Sequence, residues 1–174
     1  MPSATQLIKR DHKKVEGLFE KFDKAKSSDA KQRVCEQVIE ELEVHAKIEE
    51  EIFYPAVRKH LGEEELLEEA KQEHQQAKQI MAELKKANAE DEEFDGKFAE
   101  LVECIKHHVE EEEGELLPKV EESDMDLQGY GEEIADRKEE LLKQTSKGAK
   151  SQKKTGGRKA KSGGRGRRRS GRAA

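Results

Sequence analysis

Twice in this chain a histidine is followed four residues later by a glutamate and ten residues later by a proline: His45-Ala-Lys-Ile-Glu49 with Pro55, and His108-Val-Glu-Glu-Glu112 with Pro118. On a helix, residues four apart lie one turn apart on one face, so each copy offers an imidazole and a carboxylate to the same point in space. Imidazole and carboxylate are metal ligands, and without a thiolate beside them they suit iron, manganese or zinc better than copper(I) or calcium. Two such pairs facing one another make half a metal site.

The elements that must position them are legible as apolar seams of helical period. The first runs Ile8, His12, Val15, Phe19, Phe22, with Ser3 or Thr5 as its cap. After a break at Ser27-Ser28-Asp29 the second runs Cys35, Val38, Leu42, His45, Glu49, Ile52, Ala56 and closes at Leu61-Gly62. The third carries Leu67, Ala70, His74, Ala77, Met81 and Leu84 and fades near Asn88. The fourth carries Phe94, Phe98, Leu101, Ile105, His108 and Glu112, and Pro118 ends or bends it. Four amphipathic helices with short connections predict an all-α, up-down-up-down four-helix bundle.

That topology sets the heights of the polar seam residues. His12 and His45 lie ~16 and ~17 residues either side of a turn near residue 28, Glu49 and His74 each ~12 from the Leu61-Gly62 turn, and His74 and His108 ~16 and ~18 from a turn near residue 90. At 1.5 Å per residue, four histidines and two glutamates fall within roughly two turns of one level. Buried imidazoles and carboxylates are costly unless paired or ligated. His12, His45, Glu49, His74, His108 and Glu112 are therefore candidate metal ligands, whereas His60 and His107 lie off the seams and read as surface residues.

A structural zinc site needs only four ligands, so six point to two ions, with Glu49 and Glu112 as candidate bridges. The chain has no His-Glu-x-x-His metalloprotease helix and no paired Glu-x-x-His of the ferritin-like di-iron proteins. Asp11, Glu50, Glu73 and Glu113 neighbour ligands and could orient imidazoles, although solvated carboxylates are the ordinary outcome on so acidic a chain. Tyr54 could supply a hydroxyl near the site, but its ordinary role is that of an interior aromatic, and Cys35 and Cys104 read as small core residues too far apart in height for a disulfide.

Asp11-His12, His45-x-x-x-Glu49 with Pro55, Glu73-His74, and His108-x-x-x-Glu112 with Pro118 together resemble the hemerythrin family, in particular its bacterial HHE cation-binding domains, over roughly residues 4–120. The resemblance implies a four-helix bundle around a non-haem di-iron centre, oxo- or hydroxo-bridged, that reacts with dioxygen, peroxide or nitric oxide. On that analogy the six seam ligands carry the metals. The chain departs from the oxygen-carrier pattern at Lys78, where a carrier places a second histidine one turn after His74. Glu16, one turn after His12, is the candidate substitute. The departure favours a sensor, an iron buffer protecting DNA, or a weak peroxide-consuming enzyme over a stoichiometric carrier.

Charge divides the chain. From Lys143 onward there are 13 Lys and Arg and no acidic residue, and the remaining 21 of the 34 basic residues stand against all 40 carboxylates in 1–142. The body is thus −19 and the tail +13. Without interleaved aromatics the tail offers charge alone, so its expected partner is nucleic acid bound without sequence preference, or the acidic body itself. The expected organisation is a metal-binding bundle over 1–122, an extension over 123–144 with a short helix at 132–143 after Gly129-Tyr-Gly131, and a disordered tail over 145–174. The Met-Pro-Ser-Ala-Thr start lacks a signal-peptide pattern and no apolar run of ~20 residues occurs, so a cytoplasmic protein without membrane contact is expected.

Overall fold

The structure, a computed structural model, describes the backbone of residues 1–155 and the side chains of residues 1–146. The chain divides into two units, residues 1–142 and 143–174. Among the described residues all regular structure is helical: α1 (Ala4–Lys24), α2 (Ser28–Ile48), α3 (Tyr54–Leu61), α4 (Glu64–Lys86), α5 (Glu93–Glu111), α6 (Leu117–Glu121) and α7 (Leu127–Thr155). Widened π-turns over Glu49–Phe53 and Glu112–Leu116 join α2 to α3 and α5 to α6. Two of the four bundle helices are thus α2-turn-α3 and α5-turn-α6, and the others are α1 and α4. This is the all-α, four-helix bundle that the seams predict.

Local chemistry places the ends. Ser3 caps α1 with a capping box, its Oγ accepting from Gln6 N while Gln6 Oε1 accepts from Ser3 N at 3.1 Å. Ser27 Oγ accepts from Ala30 N at the start of α2. Gly62, at φ 83°, supplies the left-handed residue that turns α3 into α4. Asn88 and Asp91 close the turn into α5 by reciprocal hydrogen bonds.

The apolar interior forms two clusters. One, toward the Gly62 end, gathers Ile8, Ile48, Phe53, Leu67, Leu117 and Ile134 among others. The second, toward the turns near residues 27 and 90, is built on Phe19, Phe22, Phe94 and Phe98, with the Phe22 and Phe98 rings stacked 3.6 Å apart. Between them lies a layer of buried polar residues: Asp11, His12, His45, Glu49, His74, His108 and Glu112.

Two expectations need correction. The seam of the second helix does not pass through Ile52, which is only half-buried; Phe53 and Tyr54 are buried instead. The π-turn inserts one extra residue between Glu49 and Tyr54, whose N–H bonds Glu49 O, so everything beyond it is rotated relative to an α-helical count. The C-terminal helix starts at Leu127 rather than 132 and continues to Thr155 rather than 143, so residues 145–155, expected to be disordered, are helical. Gly131 does not break it: a Cβ there would fall on the Pro2 carbonyl oxygen and 3.0 Å from Ala4 N, so glycine lets the N-terminal segment cross the helix closely. Over residues 143–155, proline-free sequence with five Lys and two Gln extends a helix already nucleated. Residues 156–174 of the basic tail lie outside the described residues.

Candidate metal centre

The six seam residues meet. His12, His45, Glu49 and Glu112 place one ligand atom each within 4.8 Å of the others, and Glu49, His74 and His108 do likewise. Each side chain comes from a different turn of the bundle: His12 from α1, His45 from α2, His74 from α4, His108 from α5, and each glutamate from the first residue of a π-turn. Glu49 belongs to both groups. Its Oε1 lies 3.0 Å from His45 Nε2 and its Oε2 3.1 Å from His74 Nε2 and 3.9 Å from His108 Nε2. Glu112 Oε2 lies 3.2 Å from His12 Nε2 and 3.7 Å from His108 Nε2.

These atoms fail to satisfy one another. His12 Nε2 with Glu112 Oε2, and His45 Nε2 with Glu49 Oε1, are buried in contact at 3.2 and 3.0 Å but are not aligned as hydrogen bonds. Buried polar atoms without aligned hydrogen bonds are costly and uncommon, and four that converge fit a group in their midst. A cation bound by imidazole and carboxylate meets that need.

Electrostatics agree with the geometry. Burial alone would depress the His45 imidazole, yet Glu49 and Asp11 outweigh it and hold it up at about 10. The same opposition leaves His12 and His74 raised, through Glu112 and Glu49 respectively. Against burial, His45 and His74 hold Glu49 well below the carboxylate range. Metal-free, the centre stores protons on nitrogens that a cation would displace.

The outward nitrogen of every imidazole meets a carboxylate. His12 Nδ1 lies 2.7 Å from Glu113, His45 Nδ1 3.4 Å from Asp11, His74 Nδ1 2.9 Å from Glu50, and His108 Nδ1 2.7 Å from Glu73. These contacts fix each ring with Nε2 inward. Tyr54 is fully buried, and its hydroxyl reaches Glu49 Oε2 at 3.1 Å and Glu112 Oε1 at 3.2 Å. Burial and the two carboxylates push its pKa well above 10, so it stays protonated and donates. Sequence reasoning gave Tyr54 a packing role; its place in the first turn after Glu49 puts the hydroxyl between both glutamates.

The matching family description, Hemerythrin HHE cation binding domain, covers residues 3–120. The chain belongs to the hemerythrin HHE cation-binding family. An uncharacterised hemerythrin-like protein of Schizosaccharomyces pombe is 31% identical over 123 residues, which are 70% of this chain and 61% of that protein. A DNA nickase of Nostoc is 29% identical over 114 residues, 66% of this chain and 32% of that protein. The chain therefore spans less than two thirds of the length of either relative. The crystal structure of an HHE cation-binding domain-containing protein from Mycobacterium kansasii superposes with a TM-score of 0.72 at 25% identity, covering 81% of this chain and 88% of that one.

Within this hemerythrin-like bundle, a small apolar cavity of about 30 Å³ adjoins the centre, with Val15, Leu42, Met81 and Ile105 among its walls and His12, His45, His74 and His108 at its polar end. Lys78 stands at its edge, its Nζ 2.8 and 3.0 Å from the Glu50 carboxylate that holds His74. The lysine therefore supports the carboxylate that orients a candidate ligand, His74. Glu16, the candidate substitute, is exposed and outside both ligand groups. His60 and His107 are exposed as expected, and Cys35 and Cys104 are free thiols. No helix among the described residues is long and apolar enough to cross a membrane.

Proposed function

We propose that this HHE protein is a non-haem di-iron protein that binds or senses dioxygen, peroxide or nitric oxide. His12, His45, Glu49 and Glu112 would hold one ion, and His74, His108 and the shared Glu49 the other, with Glu112 near enough to His108 to serve both. The observation that carries this reading is the set of four buried ligand atoms, not aligned as hydrogen bonds, converging beside a cavity too apolar to hold a charged substrate. Bound ferrous iron would supply electrons to an oxidant and an open position to nitric oxide. The protein's own residues do the rest: the cavity walls exclude water, the ring of carboxylates fixes the imidazoles, and Tyr54 keeps one proton beside both glutamates. Lys78 in place of a further imidazole favours sensing, buffering or slow peroxide consumption over stoichiometric carriage.

Anaerobic loading with ferrous iron and exposure to air should give two iron atoms per chain and the near-ultraviolet bands of a coupled ferric pair. A chain purified natively with zinc alone, and colourless after reconstitution, would overturn the reading.

The second part of the proposal concerns the tail. Thirteen positive charges without a single carboxylate after residue 142 support sequence-independent contact with nucleic acid, placing a metal-holding bundle beside DNA. Mobility shifts of full-length chain should weaken steeply with salt, and residues 1–142 alone should not retain DNA. Retention by residues 1–142, or indifference to salt, rejects the tether. The kinship to a DNA nickase, which covers 66% of this chain and 32% of that protein, is compatible with this placement.

A further inference from the structure

The small cavity at the centre has a neighbour on the surface. Between α1 and α5 runs an open groove of about 410 Å³, with exposed Glu16 and Lys106 on its rim and Val15, Phe19, Ile105 and Val109 along its floor. These two helices pack on one another less closely than α1 on α2, α2 on α4 or α4 on α5.

Three of the floor residues also wall the inner cavity. Val15, Ile105 and Val109 line both spaces, as does the candidate ligand His12. One layer of side chains therefore separates solvent from the void beside the centre. Val15 and Ile105 are buried, whereas Val109 is half-buried and is the piece of that wall with the least packing to lose. The void behind it is small: about 10–15 Å³ of such space already takes one water, so 30 Å³ takes a molecule of about two heavy atoms and rejects a branched one. It touches His12 and His45 of one ligand group and His74 and His108 of the other, so a molecule admitted there meets both.

We propose that Val15, Ile105 and Val109 form the entrance to the centre and set its specificity: dioxygen, nitric oxide and hydrogen peroxide pass between them from the α1–α5 groove, and alkyl hydroperoxides do not. The entrance rests on the reading of the centre as one that meets small oxidants. Its apolar floor favours uncharged molecules over anions, for which leaving water is costly.

Met81 makes the entrance testable without iron. It lines the inner cavity and is 3% exposed; Met125, 6% exposed, lies in the other apolar cluster, and Met1 is at the surface. Hydrogen peroxide gives one oxygen to a thioether and leaves as water, and an alkyl hydroperoxide does the same and leaves as the alcohol, so each methionine records which oxidant reached it as a sulfoxide. In the full-length chain loaded with redox-silent Zn²⁺, Val109→Ala should speed oxidation of Met81 by hydrogen peroxide severalfold and Val109→Phe should slow it severalfold, with Met1 and Met125 unchanged, as followed by peptide mass spectrometry. The bulkier tert-butyl hydroperoxide should oxidise Met1 and spare Met81 in the wild type, and reach Met81 in Val109→Ala. In the iron-loaded chain, Val109→Ala should raise and Val109→Phe lower the association and release rates of nitric oxide together, with its equilibrium affinity nearly constant, the signature of a barrier rather than a contact. Met81 rates that follow Met125 in every variant or ignore both substitutions, or a change in nitric oxide affinity alone, overturn the entrance while leaving the centre standing. A chain that holds neither zinc nor iron fails at the centre, and Met81 oxidation in the metal-free chain then still decides the entrance.

Discussion

Each histidine of the centre can present Nε2 inward because its Nδ1 is held by a carboxylate from a neighbouring element, and these four contacts close into a ring. Asp11 of α1 holds His45 of α2; Glu50, in the first π-turn, holds His74 of α4; Glu73 of α4 holds His108 of α5; Glu113, in the second π-turn, returns to His12 of α1. In every case the holding residue is adjacent in sequence to a ligand, as in Asp11-His12 and Glu73-His74. Neighbours on a helix point about 100° apart, so when the ligand faces the centre its neighbour faces the next helix. Adjacency to the candidate ligands singled out Asp11, Glu50, Glu73 and Glu113 in the sequence, but among 40 carboxylates a solvated role was the ordinary expectation, and adjacency alone does not say which imidazole each one holds. A pH dependence follows for the metal-free chain. His45, His12 and His74 are raised above 6.5, so the stability they contribute is complete below that pH and is lost as pH rises toward about 10 for His45. Glu49 and Asp11 are lowered, so theirs is present above 4.5 and 3.8 respectively and disappears as pH falls. The metal-free melting temperature should therefore peak between about 4.5 and 6.5 and decline on the alkaline side, as followed by circular dichroism. Metal loading should abolish the alkaline decline, because bound ligands are already deprotonated; parallel declines in both forms would show that these histidines do not ligate.

At the scale of the element, the two π-turns are what an α-helical reading could not supply. Each begins at a ligand glutamate and ends with a proline at the start of the next helical segment, Pro55 in α3 and Pro118 in α6. A proline cannot donate to the carbonyl four residues back, and its ring clashes with that carbonyl in a regular helix; a widened turn relieves both problems without ending the helix. The near-repeat therefore encoded a rotation as well as a ligand pair. Apolar periodicity located the seams and the six converging candidate ligands because four-and-three spacing survives upstream of each turn. It failed downstream, at Ile52 against Phe53, because the period itself changes there. Gly114 in the second turn offers a direct check. A Cβ at that position meets nothing within 4 Å, so Gly114→Ala should stabilise the chain by about 0.5–1 kcal/mol. Deleting Gly114 should convert the turn to α-helix, rotate the residues beyond it by about 100° and turn Leu116, Leu117 and Val120 out of the core. That loss is on the order of 5 kcal/mol. Urea denaturation of the two variants should move in opposite directions, and a tolerated deletion would mean the extra residue has no structural role.

Across the whole chain, the family match ends at residue 120, yet the first compact unit continues to Leu142 and depends on what α7 contributes. Ile134 and Leu141 join the apolar cluster beneath the centre. Arg137 pairs with Glu51 of the first π-turn at 2.8 Å, and Lys138 Nζ meets Asp11, the carboxylate that holds His45. Little before the fold warned of this, because Gly129 and Gly131 look like punctuation and Lys138 is one of 34 basic residues; the packing requirement at Gly131 is visible only once Pro2 and Ala4 lie across it. A residue outside the matched domain thus stands two contacts from a candidate ligand. Charge is distributed to the same effect, since an acidic body needs local cations wherever its carboxylates are buried, and Asp11 is buried. Lys138→Met keeps the stem and removes the ammonium. It should weaken binding of the ion held by His45 by about tenfold, at the low end of what loss of an outer-shell partner costs, and leave the ion at His74 and His108 nearly unchanged. Competition titration with a chromophoric chelator resolves the two, and equal weakening of both ions would place the lysine's effect on the fold rather than on His45. Unchanged binding of both ions would mean that Asp11 orients the imidazole without its cation.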